Sequence, residues 1–178
     1  DIAQWGNGTE LSGPVEIEGK GVFLDREFCN IAKEWRAECT FANGVKLIHY
    51  SEGKAPAPLS GSSEGVLFEG TEGSVYVRRG NVLETTPVSL KTSEILPQEI
   101  HLYESHNHAN NFLDCIRTRR QTISPVEVAQ RSTTISLLCD IAMRLGRKVK
   151  WDPVTETFPG DDAANRLLSR TMRGPWQV

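Results

Sequence analysis

The chain has 178 residues, of which 38% are hydrophobic and 24% are charged, with a formal net charge of -3 and a pI near 5.8. This length suits one domain with its own core, and the composition is near the soluble average, which argues against a disordered chain. The apolar runs fall far short of the roughly 20 residues that cross a bilayer, and the acidic balance gives no general attraction for nucleic acid, so we expect neither partner.

The first residues, "DIAQWGNG", combine a short helix with an early stop. Asp1, Ala3 and Gln4 suit a helix, whereas Gly6-Asn7-Gly8 ends one. The chain also opens without methionine. We therefore expect this element to be the tail of a helix that begins upstream, in a longer protein.

Residues 15–24 alternate between apolar and charged side chains, which predicts a strand. Gly19 and Gly21 interrupt the alternation and indicate a bulge in that strand.

The clearest hairpin surrounds Asn43-Gly44. The outgoing strand places four apolar side chains on one face, namely Trp35, Ala37, Cys39 and Phe41. A two-residue turn would bring Lys46 onto this face. A three-residue loop, with Gly44 left-handed, instead places Cys39 opposite Leu47 and keeps the face apolar, so we favour that register.

Three short strands follow a loop rich in Pro, Ser and Gly. Their sequences are "VLFEG" (66–70), "SVYVRR" (74–79) and "VLETT" (82–86). With the earlier strands they predict an α+β fold with an open, predominantly antiparallel sheet of about six or more strands. Such a sheet needs one covered face, which the helices that follow can supply.

Two amphipathic helices follow the strands. The first, within 105–120, carries a stripe of four apolar residues, namely Ala109, Phe112, Leu113 and Ile116. The second, within 124–146, begins with a predicted capping box of Ser124 and Glu127 and ends at Gly146. Its apolar stripe comprises Val128, Ile135, Leu138, Ala142 and Leu145. A final short helix is predicted near Asp161-Asp162, before an extended tail.

The cysteines show no CxxC pairing. They are Cys29, Cys39, Cys115 and Cys139. Buried free thiols are the favoured interpretation, with disulfides or zinc as alternatives.

Two polar clusters could carry chemistry. His101, His106 and His108 could ligate zinc, but no known spacing surrounds them, so polar residues at a helix start are favoured. Asp161 and Asp162 could bind a cation, but helix capping already explains them. We predict no metal site.

A nucleotide-binding loop is missing from the sequence. Its two GxG pairs, Gly6-Asn7-Gly8 and Gly19-Lys20-Gly21, do not continue as GxGxxG between a strand and a helix. His49, on the apolar hairpin face, is either a catalytic base or a hydrogen-bonded histidine of a core or interface, and the second is favoured.

Four stretches together resemble one protein family. They are "DIAQWG", "FEGTEGSVYV", "NNFLDCIRTRRQTISPVEVAQRST" and "LGRKVKWDPVTETFPGDDAANRLLSRTMRGPW". Their order and spacing are similar to the C-terminal domain of the Gfo/Idh/MocA oxidoreductases, which include glucose–fructose oxidoreductase and inositol 2-dehydrogenase. The last stretch is typical of a branch abundant in planctomycetes. The resemblance covers essentially residues 1–178, as a single domain.

This resemblance implies a parent enzyme of two domains. A Rossmann domain upstream would hold NAD or NADP, and a lysine, an aspartate and a histidine of the family's catalytic set would also precede Asp1. We therefore expect no catalytic residue and no cofactor in this chain, which alone would be inactive.

The resemblance also implies that this domain shapes a sugar or polyol site for hydride transfer. Asp1, Gln4, Trp5, His49 and Arg131 are the candidates for substrate binding, because polyols need hydrogen-bonding groups and an aromatic platform. As alternatives, Trp5 anchors its helix to the sheet and Arg131 is a solvent-exposed helix residue.

Assembly is the second implied role. We expect a homodimer or higher homo-oligomer through a partly apolar, uncovered face of the sheet. The alternative function is a stand-alone sugar-binding or scaffold domain. Some relatives in this branch are exported through a twin-arginine signal. The compartment of this protein is therefore left open between cytoplasm and periplasm.

Overall fold

Residues 1–24, 29–51, 53–59 and 64–175 are described by the computed structural model. The prediction of an α+β fold with antiparallel strands is confirmed. The strands are β1 (Glu16–Phe23), β2 (Ala32–Thr40), β3 (Lys46–Tyr50), β4 (Val66–Gly70), β5 (Gly73–Arg78), β6 (Val82–Thr86) and β7 (Val149–Lys150). The helices are α1 (Ile2–Asn7), α2 (His108–Thr118), α3 (Val126–Leu145) and α4 (Asp162–Asn165), with a 3-10 turn at Val88–Thr92.

The strands are divided between two antiparallel sheets. The first has the order β3-β2-β1-β7, and the second has the order β4-β5-β6. The predicted meander of about six strands therefore separates after β3, because β4 pairs with β5 instead of extending the first sheet.

The β2–β3 hairpin has the predicted register. Cys39 lies opposite Leu47, and the Phe41 amide donates to the Val45 carbonyl at 2.9 Å. Gly44 has a φ of 86°, the left-handed conformation that this loop requires. The register aligns Ile17, Cys39 and Leu47 across three strands.

Helix α3 covers one face of the first sheet. Four residues of the predicted stripe are buried, namely Val128, Ile135, Leu138 and Ala142, and Cys139 and Ile141 are buried beside them. All of these except Val128 belong to one core cluster with Ile17, Ala37 and Cys39, each 0% exposed. This interface is the main core.

The glycines of β1 allow this helix to approach closely. A Cβ at Gly19 would lie 2.9 Å from Met143 Cγ, and one at Gly21 would lie 3.1 Å from Met143 Sδ. The bulge predicted at these glycines is wrong in position, because the register shift lies between Val22 and Phe23.

The C-terminal end of α3 was predicted correctly, but its N-terminal cap was not. Gly146, with a φ of 64°, is the expected C-cap. The predicted capping box is wrong, since Pro125 is the N-cap and makes no side-chain cap bond. The carboxylate of Glu127 binds Arg131 instead.

The short helix α4 begins where predicted. Asp161 accepts a hydrogen bond from the Ala164 amide and pairs with Arg147 at 2.7 Å. The Arg147 guanidinium, helped by that backbone bond, lowers the pKa of Asp161. Asn165 bonds both the amide and the carbonyl of Phe158, which fixes the preceding turn.

Apolar side chains occupy one face of the second sheet. Cross-strand pairing places Val66, Phe68, Val75, Val77 and Leu83 on it. A Cβ at Gly6 would lie 2.2 Å from Phe68, so α1 packs tightly against this face. The remaining members of the face are half-buried or exposed.

Helix α2 has its predicted stripe, but the stripe faces solvent. Phe112, Leu113 and Ile116 are all exposed. Cys115, on the other side, is buried and donates its thiol hydrogen to the Gln121 carbonyl. The sheet is therefore covered by α3 rather than by α2.

Among the described residues, no helix is long and apolar enough to span a membrane. The predicted extended tail lies partly outside the described residues, at 176–178.

Candidate functional site

The five predicted substrate-binding residues fall in three parts of the fold. Asp1, Gln4 and Trp5 lie at or within α1, His49 lies on β3, and Arg131 lies in the N-terminal half of α3. Each location gives its side chain a different environment.

Helix α1 connects the two sheets. Its Asn7 accepts a hydrogen bond from Asn43, at the tip of the first sheet's hairpin, at 2.9 Å. Its Gly6 contacts Phe68 of the second sheet. A side chain on the remaining surface of α1 therefore lies at the junction of the two sheets.

Gln4 supports this helix from inside. It is 2% exposed, and its amide oxygen accepts a hydrogen bond from the Thr9 hydroxyl at 2.7 Å. Together with the left-handed Gly8, this bond ends the helix and turns the chain towards β1. The side-chain amide of Gln4 is therefore buried and bonded within the protein.

Asp1 and Trp5 are more accessible than Gln4. The Asp1 carboxylate is exposed and makes no capping bond to α1, although its backbone carbonyl accepts from the Trp5 amide at 2.9 Å. Trp5 is half-buried. Asp1 and Trp5 are thus one helical turn apart, the first exposed and the second half-buried.

His49 lies on the edge strand of the first sheet and is exposed. It pairs across strands with Ala37, and its ring meets Trp35 edge-on, with centroids 6.5 Å apart. It also lies close enough to Cys139 to favour the ionised form of that thiol.

Arg131 is held by the fold on three sides. Its guanidinium bonds the Glu127 carboxylate at 2.9 Å and the Pro153 carbonyl at 2.5 Å, and lies 3.6 Å from Glu156. The side chain is only 18% exposed. The alternative of a solvent-exposed helix residue is wrong, because this arginine joins α3 to the loop after β7.

The uncovered face of the first sheet is mainly charged. Lys46 and Arg36 both bond the Glu38 carboxylate, Lys46 at 2.7 Å, and hold its pKa below the usual range. Lys148, just before β7, pairs with Glu16 of the neighbouring β1 at 3.3 Å. The partly apolar face expected from the sequence is found on the second sheet instead.

The described residues contain no glycine-rich turn that could bind the phosphates of a dinucleotide. Gly6-Asn7-Gly8 ends α1, and Gly19-Lys20-Gly21 lies inside β1, where the glycines face Met143. Neither segment joins a strand to the N-terminus of a helix.

No metal site is found in the part of the chain that the structure describes. No three His, Cys, Asp or Glu side chains lie close enough there to hold an ion. His101 contacts the Leu96 carbonyl at 3.0 Å, and His106 pairs with Glu104 at 3.1 Å.

Sequence reasoning missed one contact between chemically active groups. The thiols of Cys39 and Cys139 lie 3.5 Å apart, although 100 residues separate them. The only available signal was that both residues lie among apolar neighbours of a strand and a helix, which predicts burial but not pairing.

Comparisons with known proteins identify a family. Residues 3–178 match the model of GFO_IDH_MocA_C2, described as "Oxidoreductase family, C-terminal alpha/beta domain". A solved NAD-binding protein from Listeria innocua is similar, with 14% identity and a TM-score of 0.44. The alignment covers 84% of this chain and 51% of that protein, so this chain spans about half of its length. No match was found among the curated proteins.

Replacing Arg131 tests its place in the fold. We expect Arg131→Met to lower the free energy of unfolding by about 1–2 kcal/mol, because the Pro153 carbonyl and the Glu127 carboxylate lose a charged donor. Arg117→Met is the matched control. Arg117 also pairs with an acidic residue on its own helix but is 75% exposed, so its loss should cost under about 0.5 kcal/mol. Equal urea midpoints for the two variants would contradict the assignment.

Proposed function

The chain belongs to the oxidoreductase family defined by this C-terminal alpha/beta domain, and we propose that it is the substrate-binding and oligomerisation domain of an NAD(P)-dependent oxidoreductase acting on a sugar or polyol. The observation that carries the proposal is the family match over residues 3–178. On its closing sequence we assign it to the planctomycete-type branch.

In this proposal the two parts of the reaction are divided between domains. The nicotinamide supplies hydride chemistry, and the protein around it supplies position and electrostatics. This chain has no GxGxxG segment, so we propose that its share is the wall of the sugar site and that it has no activity alone.

The substrate would be contacted at the junction between the two sheets. Trp5 offers an aromatic platform and Asp1 offers acceptors for sugar hydroxyls, both on the surface of α1. His49 is an exposed candidate on β3. Gln4 and Arg131 would not contact the substrate directly. Gln4 would hold α1 in place, and Arg131 would hold the loop after β7.

The assembly interface would be the apolar face of the second sheet. Its half-buried valines and Leu83 contrast with the charged face of the first sheet, and apolar strand surfaces of this kind favour association. A homodimer is the simplest closed arrangement of one such face.

Calorimetric titration of the 178-residue chain with NAD and with NADP tests the division of labour. We expect no binding heat at micromolar concentrations, because the sequence contains no GxGxxG segment to bind the pyrophosphate. An active two-domain dehydrogenase titrated under the same conditions gives the reference signal. Tight binding by this chain would contradict the proposal.

Trp5→Ala tests the substrate wall in an active enzyme that carries this domain. We expect the KM for the sugar to rise roughly five- to tenfold, from loss of the stacking surface, while the KM for the nicotinamide stays unchanged. Ile2→Ala, an exposed apolar position on the same helix, is the control and should change neither. An unchanged sugar KM in Trp5→Ala would remove Trp5 from the site.

Sedimentation at micromolar concentration tests the assembly. We expect the native chain to be dimeric and Leu83→Glu to be monomeric, because a carboxylate buried in an apolar interface is strongly unfavourable. Ile48→Glu is the matched control, since Ile48 is 38% exposed and Leu83 is 37% exposed, but Ile48 lies on the charged face of the first sheet. A monomeric native chain, or a dimeric Leu83→Glu variant, would exclude this interface.

A further inference from the structure

Two cysteines distant in sequence meet inside the main core. Cys39 lies on β2 and Cys139 lies on α3, and their sulfur atoms are 3.5 Å apart. They are 0% and 2% exposed, respectively. The contact is therefore between two thiols, at the interface that joins the helix to the sheet.

The surroundings of the pair connect it to the surface. Cys39 is opposite Leu47 on the edge strand β3, and His49 follows two residues later on the same face. His49 is exposed and also lies against Cys139. The buried thiol of Cys139 therefore has an exposed imidazole of the edge strand as its neighbour.

The two thiols are electrostatically unequal. The hydrogen bond between the two sulfurs and burial raise the pKa of Cys39, whereas that bond and the nearby His49 lower the pKa of Cys139. Cys139 is consequently the better nucleophile of the two, because the thiolate is the reactive form.

We propose that Cys39 and Cys139 form a dithiol site that takes a hydroperoxide as its substrate and closes to a disulfide between β2 and α3. The inference rests on the contact of the two sulfurs, on the burial that admits only a small oxidant, and on the exposed His49 beside Cys139. It does not depend on the proposed dehydrogenase function.

The reaction balances in two steps. The Cys139 thiolate attacks one oxygen of hydrogen peroxide, the O–O bond breaks, and the departing oxygen takes a proton and leaves as water. The Cys39 sulfur then attacks the resulting sulfenic sulfur, the S–O bond breaks, and the proton of Cys39 leaves with the oxygen as a second water. Two thiols are oxidised to one disulfide and one peroxide is reduced. The sulfurs must approach by about 1.5 Å to reach a bond of about 2.05 Å.

The other two cysteines serve as internal references. Cys115 is buried, but its thiol donates to the backbone carbonyl of Gln121 at 3.3 Å. Cys29 is half-buried. Both are free thiols, so Cys115 shows the effect of burial without a second thiol and Cys29 shows the effect of partial exposure.

Peptide mapping of the peroxide-treated chain tests the proposal. Trypsin separates the four cysteines into four peptides, with Cys39 in 37–46 and Cys139 in 132–144. After mild treatment with hydrogen peroxide, denaturation and alkylation, we expect these two peptides to be linked, with the loss of two hydrogen atoms, and Cys115 to be alkylated. Oxidised glutathione, which is too large for the buried site, should produce no link in the folded chain.

Variants and a second measurement complete the test. Cys139→Ala should abolish the linked peptide and Cys115→Ala should retain it. The linked native chain should also have a higher unfolding midpoint that returns to its starting value with dithiothreitol, because the bond closes a very long loop. Four alkylated cysteines after peroxide, or links only between Cys29 residues of two chains, would overturn the proposal. A link made equally fast by oxidised glutathione would overturn the assignment of the oxidant.

Discussion

The close approach of α3 to β1 and β2 is the constraint on which the rest of this domain depends. Met143 occupies the space left by Gly19 and Gly21, and the same helix buries Cys139 against Cys39. A Cβ at Gly19 would lie 2.9 Å from Met143 Cγ and 3.1 Å from Ala37 Cβ, so a larger residue there would force these neighbours to shift in a closely packed core. The helix in turn holds the loop after β7, through Arg131.

Helix α1 performs a second joining function, between the sheets. It contacts the first sheet through Asn7 and the second through Gly6, and Gln4 fixes the turn that follows. Because so short a helix is unstable alone, these tertiary contacts determine its position. The surface that we propose for substrate binding is thus positioned by both sheets at once, so a shift of either sheet would move Trp5.

Local chemistry made several parts of this fold predictable. The loop at Gly44 and the end of α3 at Gly146 follow from residues within a few positions, and both were predicted correctly. The division of the strands into two sheets could not be read in this way, because it depends on which distant strands pair. The Cys39–Cys139 contact was hidden for the same reason: periodicity indicates that each residue is inside but not which residues meet.

The candidate site was less predictable than the fold because a polar residue type does not reveal its partners. Arg131 has the chemistry of a substrate ligand, yet Glu127 and the Pro153 carbonyl already use its donors. Helix α2 poses the opposite case, since Phe112 and Ile116 have the spacing of a buried stripe but remain exposed in a single copy of the chain. A stripe with that pattern gains about 25 cal/mol for each square ångström of apolar surface removed from water. Association that covered Phe112 and Ile116 would therefore be favourable, because it would remove from water an apolar surface that a single copy of the chain leaves exposed.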